Sequence, residues 1–123
     1  AGNATMVIDD TADVEEAARN TRISKTNDNG SGCSADGNLV VDAGIYDRFL
    51  DRLVAEGGYL VDATEKAKLQ AAYWDDEGRR TADTIARPAP VVARKAGITL
   101  PEGKTFFIVP ETHSGKQHPV STG

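Results

Sequence analysis

Cysteine, clustered basic residues and long apolar runs are all scarce in this sequence, and each shortage excludes something. A single cysteine among 123 residues, Cys33, permits no internal disulfide. Disulfide-stapled secreted scaffolds are thereby set aside, and a reducing, cytoplasmic setting is the expectation. No apolar stretch approaches the ~20 residues that a membrane-spanning helix needs, so no membrane partner is expected. Ala1-Gly2-Asn3-Ala4 has neither the basic start nor the apolar middle of a signal peptide. The chain carries 14 Lys and Arg against 19 Asp and Glu, a formal net charge of -5, and its basic residues are scattered. A nucleic-acid partner, which needs a concentrated positive surface, is excluded. With no second cysteine and no His–Cys spacing suited to coordination, no metal site is expected either.

What is present is the composition of a globular domain, 39% hydrophobic and 27% charged. The length suits one domain and is too short for a catalytic domain plus a separate cofactor domain. Thr5-Met6-Val7-Ile8 reads as a buried strand, stopped by Asp9-Asp10-Thr11, which also supplies a helix cap. A helix is predicted over 12–26, with Val14, Ala17, Ala18 and Ile23 as its apolar stripe and Asp13, Glu15 and Glu16 in its first turns. Asn27-Asp28-Asn29-Gly30-Ser31-Gly32 is a loop of residues that tolerate positive φ. Asn38-Leu39-Val40-Val41 is the next strand, and Asp42 caps a helix over 44–56 with Ile45, Phe49, Leu50, Leu53 and Val54 on one face.

Gly57-Gly58 ends that helix, Tyr59-Leu60-Val61 is a short extended piece, and Asp62 opens a helix from Ala63 to Tyr73. Thr81 to Ala86 reads as a short helix interrupted at Arg87-Pro88-Ala89-Pro90, and Val91 to Ala96 as another closed by Gly97. Thr105 to Val109 is the strongest strand and reads as buried on both faces. Strands alternating with helices predict an α/β fold with parallel pairing and right-handed crossovers. Three clear strands make a narrow sheet, whose edges need cover from a longer chain or another subunit.

Cys33 is the sharpest chemical feature. Its small neighbours, Gly32 and Ser34, leave a sulfur accessible and let backbone N–H groups converge where a thiolate attacks a carbonyl. The competing reading is a buried small hydrophobe. His113 and His118 offer a Cys–His dyad in principle, but nothing in the sequence brings either to Cys33. The glycines at Gly30 and Gly32 do not run from a strand into a helix and are rejected as a phosphate cradle. Asp75-Asp76-Glu77 reads as a solvated turn rather than a cation site, and Trp74 as an amphipathic residue at a helix end.

Several stretches together resemble the aldehyde dehydrogenase superfamily. Gly30-Ser31-Gly32-Cys33-Ser34-Ala35 is similar to its Gly-Gln-x-Cys box, followed at the family's distance by Asn38-Leu39-Val40-Val41-Asp42 and Ile45-Tyr46-Asp47-Arg48-Phe49. Gly2-Asn3-Ala4 and Asp9-Asp10-Thr11-Ala12-Asp13-Val14 resemble its Gly-Lys-x-Pro strand and Asp-Ala-Asp-x-x-x-Ala helix. Ser24-Lys25-Thr26-Asn27-Asp28-Asn29-Gly30 resembles the Ser-Lys-Thr-Phe-Asp-Asn-Gly stretch of the CoA-acylating group. So do Ala96-Gly97-Ile98, Pro101-Glu102-Gly103, Phe107-Ile108-Val109 and the run from Gly115 to His118-Pro119-Val120-Ser121.

The resemblance implies a three-layer α/β fold, a mostly parallel sheet with helices on both faces. Residues 1–123 then form a single partial catalytic domain, with the nucleotide-binding domain absent. It implies that Cys33 is the nucleophile, that Gly32 and Ser34 line the acyl pocket, and that the Cys33 N–H is one oxyanion donor. The implied reaction oxidises a small aldehyde with NAD or NADP to a Cys33 thioester, which coenzyme A then takes as acyl-CoA. Sulfoacetaldehyde is one candidate substrate, beside acetaldehyde, propionaldehyde and succinate semialdehyde.

Members are several times longer. The oxyanion Asn, the Glu base of hydrolytic members and a Glu that contacts the cofactor ribose are all expected outside residues 1–123, so no cofactor-binding residue is assigned. The 123 residues alone are expected neither to bind the nucleotide nor to turn over, and a homo-oligomer is expected of the full-length enzyme. A hydrolytic member, or an inactive α/β remnant with an inert Cys33, are the alternatives.

Overall fold

The computed structural model describes residues 3–113 and 117–122. Gly2 and Gly115, which belong to two of the stretches above, lie outside the described residues. The chain runs β1 (Ala4–Ile8), α1 (Val14–Thr26), β2 (Asp36–Val41), α2 (Tyr46–Ala55), β3 (Gly58–Leu60), α3 (Ala63–Tyr73), α4 (Ala89–Ala96) and β4 (Phe106–Ile108). All pairing is parallel, as the alternation requires. The single narrow sheet is corrected, however, because the four strands form two separate pairs, β1–β2 and β3–β4. In the first pair Met6, Val7 and Ile8 stand opposite Leu39, Val40 and Val41.

The strand period of two distributes side chains between two cores. Phe106 and Ile108 face Ile8, Val14, Ala18, Phe49 and Leu53, so α1 and α2 cover this side. Phe107 and Val109 point the other way, against Val61, Leu69, Val92 and Ala93 of the α3–α4 side. β4 therefore has helices on both faces, and this part of the molecule is three-layered. β4 is shorter than expected: only Phe106 is fully buried, and Phe107 and Ile108 are half-buried. β1–β2 is covered on one face only, with Val7 72% and Val40 55% exposed on the other.

Local chemistry explains the element ends. Asp9 turns its carboxylate onto the Thr11 N–H (3.0 Å) and hydroxyl (2.6 Å) and shapes the turn. The cap of α1 is instead Asp13, which accepts from the Glu16 N–H at 3.1 Å. Ile23, assigned to the apolar stripe, is 51% exposed, and buried Thr21 takes that role because its hydroxyl is satisfied by the Ala17 carbonyl at 2.9 Å. Asp42 does not cap α2. Its side chain accepts from the Gly44 N–H at 2.8 Å, forming a turn before the helix starts.

Asp62 and Glu65 form a reciprocal capping box on α3. The helix expected over Thr81 to Ala86 is reduced to one tight turn, Ala82–Thr84. α4 starts before the position expected of it, since Pro90 is accommodated in its first turn, where the missing N–H is no loss. Gly97 closes α4 at φ 74°, as expected of a left-handed cap.

Candidate active site

The last turn of α1 passes into a tight reversal, Asn27–Gly30, with three successive residues at positive φ: Asp28 at 49°, Asn29 at 53° and Gly30 at 72°. Left-handed backbone is costly for residues with a Cβ, and Asn and Asp tolerate it best. The reversal is tied down by side chains. Ser31 donates its hydroxyl to Asp28 Oδ2 at 2.6 Å and its N–H to the Asp28 carbonyl at 3.1 Å. Asn29 donates to the Ala86 carbonyl at 3.3 Å, linking the reversal to the segment before α4. At Gly30 a Cβ would lie 3.0 Å from the Lys25 carbonyl oxygen, a tight contact that adds to the cost of a side chain at this positive φ.

Cys33 follows in the turn Gly32–Cys33–Ser34–Ala35, closed by the Ala35 N–H donating to the Gly32 carbonyl at 3.0 Å. One residue later β2 begins at Asp36, whose N–H donates to the Ser24 hydroxyl at 3.1 Å. The cysteine is thus slung between two anchored points. Gly32, Cys33 and Ser34 are all exposed, which removes the reading of Cys33 as a buried hydrophobe. Among the described residues, the N–H groups of Cys33 and Ser34 make no hydrogen bond. An accessible thiol beside two unengaged donors can attack a carbonyl carbon while the donors receive the developing oxyanion. A Cβ placed on Gly32 would meet nothing within 4 Å, so the small size of this residue is not a packing requirement.

Behind this turn lies a polar pair that the sequence did not reveal. Burial pushes the Asp36 carboxyl above its ordinary value, against the pull of Lys25 and Ser24. Burial likewise lowers Lys25, helped by Arg80 and opposed by Asp36. Asp36 is 9% exposed, and its Oδ2 has no partner among the described residues. Both side chains line a cleft of about 660 Å³ between β2 and β4, floored by α1 and α2. Its lining includes Asp36 but not Gly32, Cys33 or Ser34. The available sign of this pair was a charged residue at the head of an apolar strand.

The two histidines are engaged elsewhere. His113 and His118 stack with ring centres 5.1 Å apart. His113 Nδ1 meets the Thr112 hydroxyl at 2.8 Å, and His118 Nδ1 lies 3.5 Å from Glu111. Asp75 accepts from the N–H groups of Glu77 and Arg79, each at 2.9 Å, an ordinary turn. Trp74 lies edge-on to Tyr73 with the Arg80 guanidinium 5.4 Å from its ring. Among the described residues, no group of three or more His, Cys, Asp or Glu side chains is arranged to hold a metal ion. No described helix is long and apolar enough to cross a membrane.

Residues 1–70 match the family model described as aldehyde dehydrogenase family. The chain is 37% identical, over 98% of its length, to an acylating sulfoacetaldehyde dehydrogenase of Cupriavidus necator, of which it spans 25%. It is 35% identical, over 88% of its length, to a bifunctional aldehyde-alcohol dehydrogenase of Escherichia coli K12, of which it spans 12%. The crystal structure of an acetylating aldehyde dehydrogenase from Geobacillus thermoglucosidasius superposes with a TM-score of 0.92 at 28% identity, over 97% of this chain and 26% of that one. The chain therefore spans a quarter or less of the curated relatives named here.

Proposed function

The chain belongs to the aldehyde dehydrogenase family, and on that premise we propose that it is the nucleophile-bearing part of the catalytic domain of a CoA-acylating member. The observation that carries this reading is the exposed Cys33, whose N–H, like that of Ser34, makes no hydrogen bond among the described residues. In the proposed reaction the Cys33 thiolate adds to the carbonyl carbon of a small aldehyde. The C–S bond forms, the carbonyl pair moves onto oxygen, and the Cys33 and Ser34 N–H groups hold that charge. Gly32 and Ser34 border the acyl group. Loss of hydride leaves a Cys33 thioester, and the coenzyme A thiol then displaces Cys33 to give acyl-CoA.

The hydride acceptor in this reading is NAD or NADP, and the turn from β1 into α1 does not suit its pyrophosphate. β1 enters α1 through Asp9, Asp10 and Asp13, whose carboxylates repel a pyrophosphate, and Asp13 already caps the helix. The reading assigns the nucleotide to a separate domain of the full-length protein. The relative from Cupriavidus necator acts, by its name, on sulfoacetaldehyde. The polar stretch Asn29 to Ser34 favours a short polar acyl group of that kind. A cytoplasmic homo-oligomer is the expected setting.

The test uses the full-length protein and needs no redox step. Incubation with a short acyl-CoA exchanges one thioester for another, so intact mass should rise by one acyl group on Cys33, with free coenzyme A released. Cys33→Ser should abolish the transfer. Absence of an adduct on an accessible Cys33 would reject the reading. Aldehyde oxidation that releases free acid without coenzyme A would assign the hydrolytic reaction instead.

A further inference from the structure

The turn that carries Cys33 hangs between two residues that share one neighbour. Upstream, the reversal ends at Gly30, and the Lys25 side chain passes beneath it. Cδ and Cε of Lys25 each lie 3.6 Å from where a Cβ on Gly30 would stand. Downstream, β2 opens at Asp36, which is 9% exposed and whose Oδ2 has no hydrogen-bond partner among the described residues. Lys25 and Asp36 line the same cleft. Burial is the largest influence on both groups, and each also feels the opposite charge of the other. The Arg80 guanidinium, 4.7 Å over the Tyr73 ring, repels the same ammonium, so Asp36 offsets a repulsion as well as a desolvation. A charge withdrawn from water is costly without a partner, which ties the two residues to one another.

We propose that Lys25 and Asp36 are a positioning pair for the thiol turn. Attraction between them draws the Gly30 end and the Asp36 end of the turn together from behind. It thereby sets where the Cys33 thiol stands relative to the N–H groups of Cys33 and Ser34. The proposal rests on the reading of Cys33 as the nucleophile. The cleft that the pair lines does not include Gly32, Cys33 or Ser34, so the pair acts through the backbone of the turn and not on the acyl group. Lysine suits this role because its unbranched stem packs beneath a glycine while its charged end reaches further. Asp36 suits it because Ser24, the residue before Lys25, already fixes the Asp36 N–H at 3.1 Å and leaves the carboxylate for the ammonium.

The test uses the full-length protein and two reactions of Cys33. Acyl transfer from a short acyl-CoA builds an oxyanion and depends on where the two N–H groups stand. Alkylation by iodoacetamide is a displacement at a saturated carbon and builds none. Lys25→Met keeps an unbranched stem beneath Gly30 and removes the charge. It is expected to slow acyl transfer at saturating acyl-CoA by about tenfold or more, the scale of a misplaced reacting group, with KM and the alkylation rate unchanged. Lys25→Arg, which keeps the charge, should recover most of the rate. Asp36→Asn should match Lys25→Met, and the double variant should lose no more than either single one. Transfer at the parent rate in Lys25→Met, transfer and alkylation falling together, or losses that multiply in the double variant would each overturn the pair. Should Lys25→Met fail to fold, Asp36→Asn carries the same comparison of the two reactions. If the parent takes up no acyl group, the proposed reaction fails by itself. The pair is then read from amide exchange at Ala35, whose N–H closes the turn on the Gly32 carbonyl at 3.0 Å. Faster exchange there in the charge-removing variant supports the pair, and an unchanged rate overturns it.

Discussion

The N–H of Asp36 donates to the hydroxyl of Ser24 at 3.1 Å, joining the last turns of α1 to the first residue of β2 across twelve positions of sequence. Everything between those residues, Cys33 included, is one closed loop. The bond lies at a buried residue, where an unmade donor has no water to turn to. Ser24→Ala is expected to cost about 1–3 kcal/mol in urea unfolding, the range for a stranded buried donor. Ser24→Thr, which keeps the hydroxyl, should recover most of it. Equal losses in both variants would show that keeping the hydroxyl is not enough and that the Asp36–Ser24 hydrogen bond does not set the cost.

Gly30 and Gly32 lie two residues apart and answer substitution differently. Gly30 sits at φ 72° with the Lys25 carbonyl 3.0 Å from where a Cβ would stand, while at Gly32 nothing lies within 4 Å. Gly30→Ala is expected to destabilise the fold by about 1–2 kcal/mol, the cost of a Cβ in left-handed backbone. Gly32→Ala should leave stability within about 0.5 kcal/mol and act only on acyl transfer to Cys33. Melting curves of the two variants, set beside thioester yields, separate the framework glycine from the one bordering the thiol.

Phe49 is 2% exposed, at the centre of the core that α2 shares with β1 and β4, whereas Ile23 is 51% exposed. Phe49→Ala is expected to cost about 3–5 kcal/mol, from lost burial plus the cavity left behind. Ile23→Ala should change stability by less than about 0.5 kcal/mol. Chemical denaturation of both variants checks the contrast, and a large loss at Ile23 would place that side chain under cover that this chain does not itself provide.

Legibility in the sequence followed the range of the interactions. The reversal before Cys33 was readable because Asp28, Asn29 and Gly30 are the residue types that accept positive φ, a property of each residue alone. The left-handed Gly97 and the Asp62 cap were readable for the same reason. Ile23 stands in the predicted stripe and Thr21 does not, because hydropathy ignores a hydroxyl that its own helix satisfies. Ala86 at φ 53° carries no residue-type signal, and neither does its link to Asn29, 57 positions away. The split of four strands into two pairs, and the buried Asp36 beside Lys25, depend on contacts between elements that no local pattern encodes.

Acid should loosen the segment after β4 through one carboxylate. Glu111 accepts from Lys66 Nζ at 2.7 Å and from the Thr112 N–H at 3.0 Å, with His118 Nδ1 3.5 Å away. The Lys66 hydrogen bond is the largest cause holding the Glu111 carboxyl below its ordinary value of 4.5, with the Thr112 N–H and the Lys66 and His118 charges adding to it. A depressed carboxyl binds its proton less readily in the folded state than in the unfolded one, so folding is favoured more as pH rises through this window. The contribution is fully present above pH 4.5 and is lost as pH falls through the depressed folded value. Lys66 lies on α3, so that loss weakens the tie between the segment after β4 and α3. Glu111→Gln is expected to flatten the stability–pH curve below pH 4.5 and to leave its slope near neutrality unchanged. Unfolding free energies measured from pH 3 to pH 7 on both proteins check this. Parallel acid limbs in the variant and the parent would show that Glu111 carries none of the acid sensitivity.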